Sequence, residues 1–371
     1  MKILVAGDFC PQNRVTQAFE NRDYESVLGD VKDIVISADY SIVNFECPIC
    51  HGGEKPIIKQ GPNLCCSEKG LEAVKWAGFK CVTLANNHFL DYGEYGVYNT
   101  VAACTELSVD VVGGGENINE AAKILYKKIG KKTLAIINCC EHEFSIATEN
   151  SAGSNPLNPI QQYYAIQEAR KKADRVLVIV HGGHEHFQLP SPRMVEMYRF
   201  FVDAGADAVV NHHQHCYSGY EMYNGKPIFY GLGNFCFDKP DKHSGIWTEG
   251  YMVSINFTDT IPSFKILPYI QCAEEPCIKL LAKDAFDNKL QKLNSMITNP
   301  ITLKNEIGKY YSACAKAYSN ILEPIQNRYY LGAKQRGWLP SLISEKRRLQ
   351  AANYINCESH RDKILFYLNQ K

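Results

Sequence analysis

Long hydrophobic runs are missing from this 371-residue sequence, and none reaches the roughly 18 apolar residues of a membrane-spanning helix. The first residues, MKILVAGDF, hold too short an apolar segment for a signal peptide and no small-residue cleavage site. Net charge is also missing, since 40 basic residues balance 40 acidic ones, and there is no specific signal for nucleic-acid binding. We therefore expect a cytoplasmic protein without a transmembrane segment.

Several well-known catalytic and binding motifs are absent as well. The Gly113–Gly115 run lacks the lysine and Ser/Thr of a phosphate-binding loop, and the sequence has neither a serine nucleophile elbow nor a complete dinucleotide-binding fingerprint. The CxxC spacing of Cys47–Cys50 has no second copy that would complete a zinc site. These absences argue against a P-loop nucleoside triphosphatase, a serine hydrolase and a zinc ribbon.

Cysteine, in contrast, is plentiful. The 15 cysteines are an odd number and include the adjacent pairs Cys65-Cys66 and Cys139-Cys140. Adjacent cysteines do not suit an ordinary disulfide framework, so we expect free thiols in a reducing compartment.

Short apolar runs alternate with longer amphipathic segments over most of the chain. The apolar runs are Ile3–Ala6, Ser41–Phe45, Cys81–Leu84, Val109–Val112, Leu134–Asn138, Val176–Val180 and Ala208–Val210. Helical patterns lie between several of them, at Ser67–Ala77, Tyr95–Leu107, Gln161–Lys172 and Pro192–Ala204. This alternation predicts a layered α/β domain, which we place at residues 1–275.

The last part of the chain has a different character. From about residue 280 a helical period dominates, with proline and glycine breaks, and we assign residues 280–371 to a helical extension. From Ile278 to Lys371 there are 16 basic and 7 acidic residues, whereas the rest of the chain has 24 and 33. The extension is therefore a candidate for binding an anionic partner, with the acidic body of the protein, a polyanion and a lipid surface as open alternatives.

Polar side chains that can bind metals follow the predicted strands one after another. They are Asp8, Asn44, Glu46, Asn86, Asn87, His88, Asp91, His181, Glu185, His212, His213 and His215. Such ligands at the carboxyl ends of strands are the usual arrangement in α/β enzymes. Their mixture of oxygen and nitrogen donors suits Mn, Zn or Fe better than Mg or Ca, and a carboxylate such as Glu46 can bridge two cations.

Each of these residues also has a plain structural interpretation. Asp8 can serve as a helix cap or turn residue, and Asn86-Asn87 can form a loop turn. If the HxH of His213 and His215 lies on a strand, both imidazoles share one face and His212 points the other way. The series as a whole is harder to explain by solvation than any one member, so we predict a centre for one or two divalent metal ions.

The motifs resemble those of a known bacterial family. GDFC, NFECPI, LANNHFLDYG, HGGHEH, NHHQH and KPIFYGLGNFCFD are similar, in this order, to the capsule-synthesis family named for the CapA protein of poly-γ-glutamate capsules. That family looks like a branch of the calcineurin-like metallophosphoesterases. The resemblance covers about residues 2–240 and implies a four-layer metallophosphoesterase-like sandwich, to which the helical extension is added.

The resemblance also implies roles for individual residues. Asp8 and His215 would bind a first metal, Asn87, His181 and His213 a second, and Glu46 would bridge the two. His88, oriented by Asp91, would act as proton donor or oxyanion stabiliser. A supporting or substrate-contacting role is implied for Cys10, Asn44, Asn86, Glu185 and Asn234.

Two positions depart from the metallophosphoesterase pattern. Those enzymes have Asp-x-His where this chain reads Asp8-Phe9-Cys10, so the first metal is expected to lack a ligand unless the Cys10 thiolate supplies one. Gly182 stands where the family usually has an aromatic residue, which is expected to widen the pocket. We place His184 and His186 at the pocket rim.

The preferred function is hydrolysis of a phosphoester by metal-bound hydroxide, acting on a small or polymeric anionic substrate. The resemblance implies two alternatives. One is a γ-glutamyl amide hydrolase or transferase linked to poly-γ-glutamate or capsule biosynthesis, and the other is a metal-stabilised scaffold in polymer synthesis without catalytic activity.

Overall fold

The computed structural model describes residues 1–357, 359, 360, 363 and 368. The strands are β1 (Lys2–Phe9), β2 (Tyr40–Phe45), β3 (Cys81–Thr83), β4 (Asp110–Val112), β5 (Gly114–Gly115), β6 (Leu125–Ile129), β7 (Lys132–Cys140), β8 (Gly153–Ser154), β9 (Arg175–His181), β10 (Ala208–His212), β11 (Tyr220–Tyr223), β12 (Lys226–Phe229), β13 (Asn234–Cys236), β14 (Glu249–Asn256), β15 (Ser263–Gln271) and β16 (Ile278–Leu280). The helices are α1 (Arg14–Glu20), α2 (Tyr24–Ile36), α3 (Glu68–Ala77), α4 (Gly93–Glu106), α5 (Ile118–Ala121), α6 (Pro159–Lys172), α7 (Pro192–Asp203), α8 (Lys283–Thr298), α9 (Pro300–Tyr318), α10 (Arg328–Gln335) and α11 (Glu345–Asn356), and short 3₁₀ turns lie at Gly245–Trp247 and Ser319–Leu322.

Two sheets form the centre of the first compact unit, Met1–Pro300. In the larger sheet the strand order is β16-β15-β14-β1-β2-β3-β4, and β13 also pairs with β1. In the smaller sheet the order is β11-β12-β10-β9-β7-β6. Strands β1 to β4 are parallel to one another, and so are β7, β9, β10 and β12. Each of the seven apolar runs in the sequence coincides with one of these parallel strands, and only Leu84 and Val109 fall one residue outside.

The two sheets pack face to face and carry helices on their outer faces. Ile3, Val5 and Ile42 of the larger sheet share one buried cluster with Ile136 and Ile179 of the smaller sheet. On the outer face of the larger sheet, buried residues pack with helices α1 to α4, and helices α6 and α7 contact strands of the smaller sheet. The predicted four-layer α/β sandwich is therefore confirmed.

This topology brings the carboxyl ends of the parallel strands to one edge. Strand β2 is buried at every position, and β9 is buried from Val176 to His181, because both carry hydrophobic residues on two covered faces. The polar residues that end these strands are consequently delivered to the same region at the edge of the core.

Helix α8 contacts β11 and β15, and its Phe286 and Leu290 are buried in the cluster between the sheets. The compact unit therefore continues to Pro300, beyond the predicted boundary at residues 275–280. As a division of function, that boundary stays a prediction.

The second compact unit, Ile301–Lys371, contains the rest of α9, α10 and α11. Within it the Lys334 ammonium group lies 2.8 Å from the Glu323 carboxylate, which also accepts a hydrogen bond from the Tyr330 hydroxyl at 3.0 Å. None of the helices formed by the described residues is both long and apolar enough to cross a membrane.

Candidate metal centre

Asp8 is placed by an irregularity in β1. The register between β1 and β2 shifts between Ala6 and Asp8, so Gly7 is an extra residue in β1. Only glycine fits there, because a Cβ on Gly7 would lie 1.9 Å from the Gly233 carbonyl oxygen. The bulge turns Asp8 towards the centre, where its Oδ1 accepts a hydrogen bond from Asn44 Nδ2 at 2.8 Å and its Oδ2 accepts one from the His213 amide at 3.2 Å.

Glu46, the first residue after β2, lies at the middle of the site. Its side chain is completely buried, yet neither carboxylate oxygen has a hydrogen-bond partner among the described residues. Its Oε1 lies 3.5 Å from His181 Nε2 and 3.7 Å from His215 Nε2. Burial, followed by the charge of Asp8, raises the pKa of Glu46 well above its usual range.

Four donor atoms converge on one side of Glu46. His181 Nε2 lies 3.0 Å from Asn87 Oδ1 and 3.1 Å from His213 Nδ1, in addition to its contact with Glu46. We call Glu46, Asn87, His181 and His213 the His181 group. Ligand atoms about 2.1 Å from a tetrahedral cation lie about 3.4 Å from one another, which matches these separations.

A second set of donors lies on the other side of Glu46. Asp8, Glu46 and His215 each offer one atom, and the three atoms lie within 4.8 Å of one another. We call these three residues the Asp8 group. Glu46 belongs to both groups, so the structure brings together all six residues for which the resemblance implies metal binding.

Asn234 determines which nitrogen His215 presents. Its amide nitrogen donates to the carbonyl oxygens of His215 and Trp247 at 3.2 and 3.1 Å, which fixes the orientation of the amide. Its Oδ1 therefore accepts from His215 Nδ1, 2.9 Å away. Burial lowers the pKa of His215 well below its usual range, so the ring is neutral and its Nε2 keeps a lone pair for a cation.

The loop after β10 brings His213 and His215 together in an unexpected way. On a strand, the HxH pattern would put both rings on one face, but β10 ends at His212. His213 and His215 have positive φ angles of 90° and 53°. Such backbone costs roughly 1–3 kcal/mol per residue and is typical of functional sites. The strained loop, rather than alternation along a strand, directs both rings inward.

His212 points away from the donors, as the sequence analysis expected for it. Its Nε2 lies 2.9 Å from the Ala6 carbonyl oxygen, and burial lowers its pKa to about 4. His181 is also neutral, because burial and the neighbouring histidines lower its pKa well below the usual range.

His88 and Asp91 form the pair that the resemblance implies. His88 Nδ1 lies 2.6 Å from Asp91 Oδ2, which also accepts a hydrogen bond from the Leu64 amide at 2.7 Å. Lys59, which the sequence analysis missed, is 98% buried at its side chain, forms an ion pair with Asp91 and lies 3.1 Å from His88 Nδ1. It comes from a loop without regular structure, 29 residues away in sequence, so no periodic signal could have identified it.

Cys10 does not reach either donor group. It is completely buried in the core between the larger sheet and its helices, and burial raises the pKa of its thiol to about 11. Its thiol interacts with the Cys47 thiol, which is also completely buried. Cys10 is therefore a core residue. Its thiol does not replace the metal ligand expected from the histidine of an Asp-x-His motif.

The remaining candidates lie around the donors. Asn44 bonds to Asp8 and accepts from Thr83, whereas Asn86 donates to the Phe45 carbonyl and accepts from the His88 amide. Glu185 is exposed, and its charge contributes to the raised pKa of Glu46. Gly182 packs against the Glu141 side chain, 2.6 Å from where a Cβ would lie.

Two features of the rim were not expected. Glu143 accepts a hydrogen bond from Asn87 Nδ2 at 3.1 Å and so fixes the amide of that residue. Trp247 packs 5.0 Å from the His215 ring, and Lys239 and Lys242 lie 5.0 and 5.6 Å from the Trp247 ring. His186 is exposed, and its ring lies 5.5 Å from the ring of the same tryptophan.

The residues present fit divalent cations. A buried carboxylate without hydrogen bonds is costly in an apolar interior unless a positive charge balances it. Glu46 has this unsatisfied character, and neutral imidazoles and an amide oxygen surround it. The donor types suit Mn, Zn or Fe.

The part of the chain that carries these donors is similar to known proteins. The family model described as bacterial capsule synthesis protein PGA_cap matches residues 2–239. Capsule biosynthesis protein CapA of Bacillus anthracis is 34% identical over 247 residues, covering 64% of this chain and 60% of the relative. PGA biosynthesis protein CapA of Bacillus subtilis strain 168 is 33% identical over 236 residues, covering 63% and 62%. This chain thus spans about 60% of the length of these relatives.

Solved structures give more distant likenesses. A structure described as a novel phosphatase of Mycoplasma pneumoniae has a TM-score of 0.45 and 16% identity, covering 73% of this chain and 93% of that chain. A 5'-nucleotidase from Candida albicans has a TM-score of 0.43 and 11% identity, covering 72% and 50%. Neither likeness bears on activity.

Proposed function

This chain belongs to the bacterial capsule synthesis protein family PGA_cap, and we propose that it is a metal-dependent hydrolase of phosphoesters. The observation that carries the proposal is the shared, completely buried Glu46 carboxylate, whose oxygens lack hydrogen-bond partners among the described residues while neutral donors converge on both of its sides. A purely structural glutamate would be expected to have a basic or N–H partner.

When bound, divalent cations would lower the pKa of a water nucleophile and neutralise charge on the reacting phosphoryl oxygens. The residues that would hold them are those of the Asp8 group and the His181 group. Asn234 and Glu143 support this by fixing His215 and Asn87, respectively.

His88 is the candidate proton donor. Its Nδ1 is occupied by Asp91, which leaves Nε2 as the ring nitrogen that exchanges a proton with the leaving group. The Asp91 oxygens are held in turn by Lys59 and the Leu64 amide, which fixes the carboxylate that orients the His88 ring.

The rim supports an anionic substrate. Lys239 and Lys242 both approach Trp247, beside His215, and neither forms a salt bridge with a described residue. A phosphate or carboxylate group of a substrate would find two unbalanced cations there. The basic sequence after residue 280 is a further candidate for holding a polymeric anion.

A second candidate is hydrolysis or transfer of a γ-glutamyl amide. The name of the Bacillus subtilis relative, PGA biosynthesis protein CapA, associates that relative with the synthesis of a polymer joined by such bonds. The same polarisation and proton transfer would act on an acyl carbon.

The test is turnover of an aryl phosphodiester and an aryl phosphomonoester by protein loaded with Mn²⁺, Zn²⁺ or Fe²⁺. We expect His88→Ala to lower kcat by about 10²–10⁴-fold, as for loss of a general acid, without loss of metal. The matched control is His51→Ala, which removes an exposed histidine that pairs with Glu68. Undiminished turnover in His88→Ala would rule out its assigned role.

The alternatives have their own readouts. Release of glutamate from poly-γ-glutamate, with no turnover of either phosphoester, would favour the amide reaction. If neither substrate is cleaved by any metal-loaded sample, the non-catalytic scaffold becomes the better hypothesis.

A further inference from the structure

A long loop next to the centre begins and ends with neighbouring cysteines. Residues 50–65, which we call the strap, contain neither helix nor strand. At the neck of the strap the Cys50 amide donates to the Cys66 carbonyl at 2.9 Å, and the Cys66 amide donates to the Pro48 carbonyl at 3.1 Å. Ile49 and Cys66 form a parallel bridge. The backbone therefore holds Cys50 beside the Cys65-Cys66 pair.

The thiols at the two ends of the strap contact each other. Cys50 and Cys65 are both partly exposed, and their side chains are close enough for each thiol to shift the pKa of the other. Together they line a cavity of about 410 Å³ on the surface of the first unit. This cavity is distinct from the donor groups, none of whose residues line it.

The other thiols of this region are less reactive by comparison. Cys10 and Cys47 are completely buried, and burial raises the pKa of each. The hydrogen bond with Cys50 lowers the pKa of Cys65 to about 7. A thiolate attacks disulfides and a thiol does not, so Cys65 is the reactive sulfur at neutral pH.

The cavity also has a charge preference. Its charged lining side chains are Glu20 and Glu54, and its lining includes no lysine, arginine or histidine. Hydrogen bonds from backbone amides, that of His51 first, lower the pKa of Glu54, which therefore stays anionic at neutral pH. A small cationic disulfide is accordingly attracted to this cavity more strongly than an anionic one.

We propose that Cys50 and Cys65 are a redox-active pair that forms a reversible disulfide across the neck of the strap by exchange with a low-molecular-weight disulfide. The Cys65 thiolate attacks one sulfur of the reagent, forming a mixed disulfide and releasing one thiolate, which takes up a proton. Cys50 then loses its proton to solvent and attacks the Cys65 sulfur, releasing the second small thiol. The protein loses two electrons and two protons, and the reagent gains them.

The bridge has a structural consequence because the strap carries Lys59. Lys59 pairs with Asp91, and the Asn63 amide side chain and the Leu64 backbone amide also donate to Asp91. Closing the neck covalently restricts opening of the segment that supports the His88–Asp91 pair. The oxidised protein keeps the strap closed, and the reduced protein lets it open locally.

The experiment uses the full-length protein and cystamine, a disulfide with two ammonium groups. After treatment and complete trypsin digestion, we expect peptide Asp33–Lys59, in which the Lys55-Pro56 bond resists trypsin, to be linked to Gln60–Lys69. Fragmentation of the linked pair locates the bond at Cys50 and Cys65. Free thiols fall from the fifteen in the sequence by two.

Variants separate this pair from its neighbours. Cys50→Ser should lose the link and instead carry one cysteamine on Cys65, whereas the matched control Cys47→Ser, on the same tryptic peptide, should keep the link. Cys65→Ser should react slowly at Cys50. No link in the wild type, or a link that persists in Cys50→Ser, would overturn the pair.

Limited digestion tests the restriction of the strap. The Lys59 side chain is buried, so cleavage after Lys59 requires local opening. We expect this cleavage to be severalfold slower in the oxidised wild type than in identically treated Cys50→Ser. Equal rates would contradict the closing effect of the bridge. These readouts do not depend on hydrolase activity.

Discussion

The Asp8 group and the His181 group share Glu46 but differ in how many other donors complete them. In the His181 group, three donor atoms lie 3.0–3.5 Å from His181 Nε2, which is the fourth. Around Asp8 there are three donors, and His215 Nε2, the ring nitrogen that Asn234 leaves available, lies 3.7 Å from Glu46 Oε1. The difference follows from Cys10, which the fold places in the core. We infer that the His181 group binds its cation more tightly.

The surroundings of the two groups differ in charge as well. Glu143 lies beside Asn87 and His213 of the His181 group, at 3.1 and 4.0 Å. Beside His215 of the Asp8 group lie Trp247 and its two lysines. One side thus favours retaining a cation, and the other favours receiving a substrate anion.

The largest effect is expected from the residue that both groups share. With Mn²⁺ at about 100 times its Kd, binding stabilises a protein by about 2.7 kcal/mol, and Glu46→Gln should abolish most of this gain. Without metal, the same change should stabilise the protein at neutral pH by about 1–3 kcal/mol, because the raised pKa of Glu46 means that folding must protonate or bury a carboxylate that the unfolded chain keeps ionised. Urea unfolding with and without metal measures both.

Glu221→Gln is the matched control for Glu46→Gln. Glu221 is also buried, but it pairs with Arg199 and the Tyr230 hydroxyl. This variant should lose stability without metal and keep the response to metal. A full metal response in Glu46→Gln would contradict the shared role of Glu46.

The second prediction concerns Asp8, whose titration makes the stability of the metal-free protein depend on pH. Burial raises the pKa of Asp8 from 3.8 to about 7, so between these values the folded, metal-free protein binds a proton that the unfolded chain has released. This contribution to stability therefore falls as pH rises, by up to about 1.4 kcal/mol per pH unit. Asp8→Asn lacks it, and its stability relative to wild type should increase from pH 5 to pH 7.

Comparing the two proteins at each pH cancels the opposite contribution of the buried neutral histidines. The stability that these histidines contribute decreases as pH falls below about 6.5, because only the unfolded chain then binds protons on them. Urea unfolding at pH 5, 6 and 7 provides the measurement. A constant difference between Asp8→Asn and wild type would mean that the Asp8 carboxyl does not titrate in this range.

The third prediction sharpens the contrast between the groups. Asn234→Ala removes the acceptor that orients His215, and such changes typically cost about 10–100-fold in metal affinity. Only the Asp8 group should weaken, so elemental analysis after dialysis should show loss of one of two metals. Asn99→Ala, a half-buried asparagine bonded to Glu54, is the control. An equal loss of metal affinity in both groups would show that Asn234 does not support the Asp8 group specifically.

The smallest effect on metal is expected at Cys10. Its thiol is buried away from both groups, so Cys10→Ala should leave the metal content per chain unchanged. Stability should fall by about 1 kcal/mol through the small cavity that remains. A lower metal content in the variant would show that the thiolate is a ligand after all.

The sequence by itself determined the layers and most of the strands, because hydrophobic periodicity records which faces are buried. It also located Asp8, Glu46 and His181, because polar residues that follow buried strands must emerge at the sheet edge. The resemblance divided these residues between two metals. Sequence reasoning misjudged the backbone at His213 and His215, where a positive φ leaves no periodic trace.

Only the tertiary structure decided the rest. Lys59, Glu143 and Trp247 reach the site from loops and turns whose position depends on contacts with residues far away in sequence. The same holds for the contact of Cys50 with Cys65 and for the burial of Cys10. Loop residues follow no regular repeat, so their neighbours are fixed by packing in three dimensions rather than by spacing along the chain.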